Sequence, residues 1–266
     1  MKRRLMLVLT LALVAGLGAG PPASAQDALR LASLRVGLWP EYDQPALLVI
    51  YWGVLPGATA FPATISLRMP ARIVAPHVVA AQPGPGASLD EVDFQSTEAG
   101  EWRVITFQTF GPNFQFEYYD SLQMEGVTRS ASYTWPGDYA VDQFFVELQH
   151  PPHAEELTTD PSLPTSQVQP SDGLLYHGGE FGSLAAGETF TLQLRYTRSD
   201  NAMTVDLLNA LQQQSPTADP FTGTQAGTSD KGVDILLLAL VAVGSFLLGA
   251  AAMRIAINIQ ASRSRR

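Results

Sequence analysis

The chain has 266 residues, contains no cysteine and carries a formal net charge of −9. The missing thiols exclude disulfides, cysteine-based zinc sites and covalent attachment of c-type haem. The segment 26–232 alone holds 9 Lys and Arg residues against 24 Asp and Glu residues, a net charge of −15. Because such a segment is repelled by nucleic acid and by anionic lipid headgroups, we expect neither as a partner.

Residues 1–25 have the composition of a cleaved signal peptide. A basic start at residues 2–4 is followed by an apolar run over 5–18, and Ala23-Ser24-Ala25 has the small-x-small pattern that precedes signal cleavage. The sequence therefore predicts a mature chain that begins near Gln26, outside the cytoplasm.

The part of the chain from 31 to 198 consists of short apolar or alternating runs separated by Pro, Gly and Asp, and lacks a convincing amphipathic helix. The predicted strands are 31–38, 46–55, 64–69, 102–109, 113–119, 127–135, 143–149 and 188–197, with weaker strands near His77, Val92 and Leu174. This pattern predicts an all-β fold, an antiparallel β-sandwich spanning 26–198. A boundary near Gly111 would divide it into two Ig-like halves, but we favour one continuous domain.

Two stretches of the sequence repeat the same order of residue types. Trp39-Pro40 is followed by Glu41-Tyr42-Asp43, and Trp135-Pro136 is followed by Gly137-Asp138-Tyr139. Because proline restricts the preceding residue to extended conformations, each repeat predicts a strand end followed by a polar turn. The acidic and tyrosine residues are thus turn residues first and ligand candidates second.

The carboxylates in and after these repeats are candidate ligands for a structural Ca²⁺, which prefers hard oxygen donors. These candidates are Glu41, Asp43, Asp138 and Asp142. No EF-hand spacing supports the site, and turn residues that bond their own backbone are the simpler interpretation. We otherwise expect no cofactor.

A second candidate for metal binding is His150-Pro151-Pro152-His153. Imidazole nitrogens are good ligands for zinc and copper, but the sequence supplies no third ligand. A proline-rich strand exit is the alternative.

Tyrosines supply the remaining candidate binding residues, since an exposed aromatic ring can stack on a sugar or anchor a protein partner. The candidates are Tyr42, Tyr118, Tyr119 and Tyr139. The alternative is that these rings pack in the core and across strands.

After residue 198 the pattern changes from strands to a membrane tether. A short helix is predicted within 201–214, and 199–232 reads as a flexible stalk rich in Thr, Gly, Pro and Asp. Residues 233–254 form a predicted transmembrane helix, and the basic tail 255–266 places its C-terminus in the cytoplasm. The residues assigned to the anchor are Ile235, Leu240, Gly244, Ser245, Gly249, Met253 and Arg254.

The segment Asp219-Pro220-Phe221-Thr222-Gly223 resembles a cell-wall sorting signal but has Asp where that signal has Leu. We therefore expect the membrane anchor to be permanent.

The stretches WPEYDQPALLVIYWG, FQFEYYD, WPGDYAVDQFFVEL and GSLAAGETFTLQLRY resemble a family of uncharacterised bacterial envelope proteins. The resemblance implies a signal peptide, a β-rich ectodomain and one C-terminal helix, and a link to cytochrome c biogenesis loci. It supplies no catalytic residues.

The predicted function is a non-enzymatic, membrane-anchored binding or scaffolding module of the bacterial cell envelope, with the bilayer and an unidentified envelope protein as partners. No G-x-S-x-G, H-E-x-x-H, P-loop or kinase motif occurs in residues 26–266. Two alternatives remain at this point: an accessory factor of an envelope assembly machine such as cytochrome c maturation, and a carbohydrate-binding ectodomain.

Overall fold

The nine-stranded sheet is the largest element of the computed structural model, which describes residues 29–214. Its strands, in order across the sheet, are β14 (Thr165–Val168), β15 (Leu175–Leu184), β12 (Ala140–Gln149), β2 (Ser33–Pro40), β3 (Leu47–Val54), β9 (Asn113–Asp120), β5 (Val78–Ala81) and β6 (Asp90–Glu91). The short strand β1 (Arg30–Leu31) also pairs with β12. The strand predicted over 46–55 is β3, near the centre of this sheet.

The large sheet is mixed, so the prediction of a purely antiparallel sandwich is wrong in this respect. Strand β12 runs parallel to both β2 and β1, with Val146 opposite Val36. Parallel neighbours need a long crossover, and here about a hundred residues separate β2 from β12. Local alternation of apolar residues predicts that a strand forms but does not reveal the direction of a partner so distant in the sequence.

Two smaller sheets form the second layer of the fold. One contains β4 (Ala63–Pro70), β8 (Trp102–Thr109) and β7 (Phe94–Ala99). The other contains β10 (Gln123–Glu125), β11 (Thr128–Trp135), β16 (Phe190–Thr197) and β13 (Glu155–Asp160). Ring contacts join both to the large sheet: the centroids of Phe107 and Phe114 are 5.8 Å apart, and those of Phe144 and Phe190 are 5.0 Å apart.

One continuous cluster of buried side chains connects all three sheets, with Tyr51, Phe107 and Trp135 as members from each. The corner at Gly111 joins β8 to β9 over this shared core. A Cβ atom there would lie 2.7 Å from the side chain of Gln82, so the corner requires glycine because of close packing.

A single helix, α1 (Thr204–Gln214), follows the last strand within the described part of the chain. It agrees with the helix predicted within 201–214. No helix in residues 29–214 is long and apolar enough to cross a membrane. The predicted signal peptide, transmembrane helix, cytoplasmic tail and anchor residues lie outside the described residues.

Candidate ligand-binding face

Glu41, the acidic residue of the first Trp-Pro repeat, is fully buried directly after β2. Its carboxylate oxygen Oε2 accepts hydrogen bonds from the Tyr196 hydroxyl (2.6 Å) and from Nη1 of Arg198 (2.9 Å). The other oxygen, Oε1, lies 3.5 Å from Nε of Arg129. Glu41 therefore ties the end of β2 to the end of β16, and its carboxylate is engaged by buried arginines.

The second Trp-Pro repeat forms a comparable link between the two small sheets. Asp138 Oδ2 accepts a hydrogen bond of 2.9 Å from the backbone N–H of Arg68, and the two side chains also form an ion pair. The Tyr139 hydroxyl accepts one of 2.7 Å from the backbone N–H of Ser66. Because β4 is an edge strand, these side chains satisfy backbone donors that no neighbouring strand reaches.

The structure does not bring the four predicted calcium ligands together, because each contacts a different partner. The contacts of Glu41 and Asp138 are those described above. Asp43 accepts a hydrogen bond of 2.8 Å from the Tyr119 hydroxyl, and Asp142 forms an exposed ion pair with Arg30. No group of three or more His, Asp or Glu side chains suited to a metal occurs in the described ranges.

The two histidines predicted to share a metal also contact different partners. His150 Nδ1 lies 3.0 Å from Nε2 of His177, and its Nε2 lies 3.2 Å from the carbonyl oxygen of Ala154. His153 instead pairs with Asp200, at 2.6 Å. Since a carbonyl only accepts, neutral His150 carries its proton on Nε2 and accepts at Nδ1 from His177. Burial and the neighbouring His150 lower the pKa of His177.

The predicted binding tyrosines differ in exposure. Tyr118 is 1% exposed, and its hydroxyl lies 3.4 Å from that of Tyr51 in the core, so its prediction as an external binding residue is wrong. The register of β9 turns Tyr118 inward and its neighbour Tyr119 outward. Tyr42 is buried and Tyr139 is half-buried against β4, which leaves Tyr119 as the half-buried ring on the opposite side of the sheet.

The face of the nine-stranded sheet turned away from the shared core is here called the outer face. The strand register places its side chains in rows. One row runs from Arg35 through Trp52 to Gln115. The adjacent row runs from Glu147 through Gly37 and Ile50 to Glu117.

Trp52 lies over the backbone of Gly37 on the outer face. A Cβ atom at Gly37 would be 2.8 Å from Cζ3 of Trp52, so only glycine leaves room for the indole ring. The Trp52 ring is half-buried, and its centroid is 6.1 Å from that of the buried Trp39. The Nε1 donors of both indoles are buried and have no hydrogen-bond partner among the described residues.

Two carboxylates flank Trp52 from opposite sides. Glu117 accepts a hydrogen bond of 2.5 Å from Nε2 of Gln115, and burial raises its pKa. Burial also raises the pKa of Glu147, against the opposing effect of Arg35. Three inter-strand steps separate the two glutamates, which places their Cα atoms about 14 Å apart.

Helix α1 packs on the outer face beside the β2–β3 turn. Its first residues are held by the β2–β3 turn, where Thr204 N–H donates to the Glu41 carbonyl (3.0 Å) and Val205 N–H to that of Tyr42 (2.9 Å). Leu207 and Leu208 then pack against the aromatic cluster that contains Trp39, Tyr42 and Tyr176. The Trp52 end, with its flanking glutamates, is the candidate site.

Sequence reasoning missed Trp52 because it belongs to a run that is apolar throughout. The usable signal was Gly37, a glycine inside an otherwise apolar strand, which indicates close approach of another group.

No protein-family model and no curated protein matches the chain. Among solved structures, the chain resembles one described as a "putative protease" from Parabacteroides distasonis ATCC 8503, with 7% identity and a TM-score of 0.35. The match covers 64% of this chain and 40% of that one, so the chain spans less than half the length of that protein. A similarity this low carries no argument about activity.

Proposed function

We propose that the protein is a non-enzymatic binding module, held outside the cell membrane by its C-terminal helix, that contacts its ligand through the Trp52 end of the outer face. The observation that carries this proposal is the half-buried Trp52 ring set between two glutamates whose pKa values are raised by burial. Desolvated carboxylates cost stability, and perturbed ionisable groups concentrate at functional sites.

The placement of the histidines supports binding rather than catalysis. His150 contacts His177 and His153 contacts Asp200, on the loop after β12 and away from Trp52. His77 packs edge-on against Tyr119, with ring centroids 4.9 Å apart. The usual neutral-pH bases are thus engaged in pairs, and none of these pairs includes a serine or threonine hydroxyl.

The anchored topology supplies the first experiment. Protease added to intact cells should release the sandwich by cutting between residues 215 and 232, because the chain up to Gln214 is folded as α1. Full protection of the chain against external protease would contradict the proposed orientation.

The ligand surface supplies the second experiment. An aromatic photo-crosslinking amino acid such as p-benzoylphenylalanine keeps a ring at position 52 of the full chain and should form adducts with an envelope component in living cells. Trp102 is the matched control, since it is also a half-buried tryptophan but lies in the three-stranded sheet. Equal adduct yields from the two positions would refute the assignment of the outer face.

A further inference from the structure

The Trp52 indole lies on a rigid support. The backbone of Gly37 packs against its six-membered ring, since a Cβ atom there would lie 2.8 Å from Cζ3 and 2.9 Å from Cη2, and the ring is half-buried. The central strands β2 and β3 hold this arrangement through eight paired residues each. A flat aromatic ring on a rigid sheet gives a large contact area without a loss of side-chain entropy on binding.

Hydrogen-bonding groups lie in register on both sides of the ring. Arg35 and Gln115 are the cross-strand neighbours of Trp52, and Glu147 and Glu117 occupy the adjacent row. Carboxylates accept, guanidinium groups donate, and amides do both, which matches hydroxyl groups that donate and accept in turn. The unpartnered indole N–H of Trp39, on a side chain only 4% exposed, adds a buried donor next to the same ring.

The charge of the outer face selects against anionic ligands. Its carboxylates are Asp43, Glu117, Glu147 and Asp172, and its guanidinium group is that of Arg35. The excess of carboxylates repels phosphates, sulfates and acidic sugars.

The apolar surface is too small for a typical protein partner. Leu207 and Leu208 of helix α1 pack against the aromatic cluster around Trp39, and Trp52 and Tyr119 are the half-buried rings at its edge. Protein interfaces of standard size bury about 800 Å² per partner around several apolar anchors, which two half-buried rings do not supply.

We infer that the Trp52 end of the outer face binds a neutral oligosaccharide, with one sugar ring stacked on the indole and its hydroxyl groups bonded to the half-buried Arg35 and Glu147. This inference names the ligand class of the site and rests on the binding role proposed above.

The test is binding of the detergent-solubilised full chain to an array of neutral and acidic oligosaccharides, followed by titration calorimetry with the best neutral ligand. We expect binding to neutral sugars and none to acidic ones. W52A should weaken the affinity more than tenfold and E147Q severalfold, while W102A stays within twofold of the wild type.

Two further variants keep the test decisive if W52A fails to fold. W52F retains a ring and should keep part of the affinity. G37A retains the indole but displaces it, since the new methyl group would lie 2.8 Å from the ring, and it should weaken binding. Affinity unchanged in W52A and G37A, or an array without any neutral ligand, would overturn the inference.

The outcome also separates this inference from the proposed function. Adducts of a protein at position 52 together with an empty array would overturn the sugar ligand and leave the binding role standing. If position 52 forms no specific adducts and the array contains no neutral ligand, both the binding role and the sugar ligand are contradicted.

Discussion

Glu41 and Arg198, 157 positions apart in the sequence, form a buried ion pair with 2.9 Å between Oε2 and Nη1. Arg198 also donates to the Ala202 carbonyl at 2.7 Å, so the pair fixes the segment between β16 and α1. Glu41 has a positive φ of 51°, a left-handed backbone conformation that non-glycine residues adopt when surrounding contacts hold it. The first Trp-Pro repeat therefore holds the start of helix α1, which precedes the predicted membrane tether.

Replacing Glu41 by Gln should destabilise the protein by about 3–5 kcal/mol, because it removes the carboxylate that faces the buried Arg129 and leaves Arg198 paired with Asp200 alone. Urea unfolding of the full chain in detergent measures the effect. D142N is the control, since the Arg30–Asp142 pair is exposed and should contribute less than about 1 kcal/mol. An E41Q variant as stable as D142N would contradict the anchoring role.

Replacing Tyr139 by Phe should cost about 1–2 kcal/mol, because the backbone N–H of Ser66 on the edge strand β4 would lose its acceptor. The same unfolding assay applies. T134V removes an exposed hydroxyl pair with Thr191 and should change stability by less than about 0.5 kcal/mol. Equal effects of the two variants would show that Tyr139 does not support β4.

The histidine pair predicts a loss of stability in mild acid. The folded-state pKa of His177 is lowered, so its neutral form is favoured in the folded protein. The neutral His177 side chain makes its full contribution to the free energy of unfolding above the ordinary pKa of about 6.5. This contribution is lost as the pH falls through the folded-state pKa. The free energy of unfolding should therefore fall less between pH 7 and pH 5 in H177N than in the wild type. Parallel pH profiles would contradict this assignment.

Glu117 predicts the opposite dependence on pH. Its pKa is raised by burial, so its contribution to stability is complete below the ordinary value and is lost as the pH rises through the folded-state value. E117Q should therefore be more stable than the wild type at pH 7 and similar to it at pH 4. E98Q, at an exposed glutamate, should show no such difference. A destabilised E117Q at pH 7 would mean that the ionised carboxylate supports the fold.

Strands with strong apolar alternation were predicted well, and β8 has the predicted limits, 102–109. The strands β13 and β14 were missed because they are polar and largely exposed. Their pairing depends on β16 and β15, which local patterns do not reveal.

The candidate site was less predictable than the strands. The rings of Tyr118 and Tyr119 are neighbours in sequence, and only the register of β9 decides which one is buried. Trp52 lies in an apolar run, and its partial exposure depends on how far α1 extends over the outer face. Such long-range packing cannot be read from composition or spacing.

The central claim is that ligand contacts the outer face at Trp52. Photo-crosslinking from position 52 of the full chain in living cells, with and without excess neutral oligosaccharide, tests it most directly. We predict adducts at position 52 that the sugar suppresses, and none at position 102. Equal adduct yields at the two positions, unaffected by the sugar, would contradict the claim.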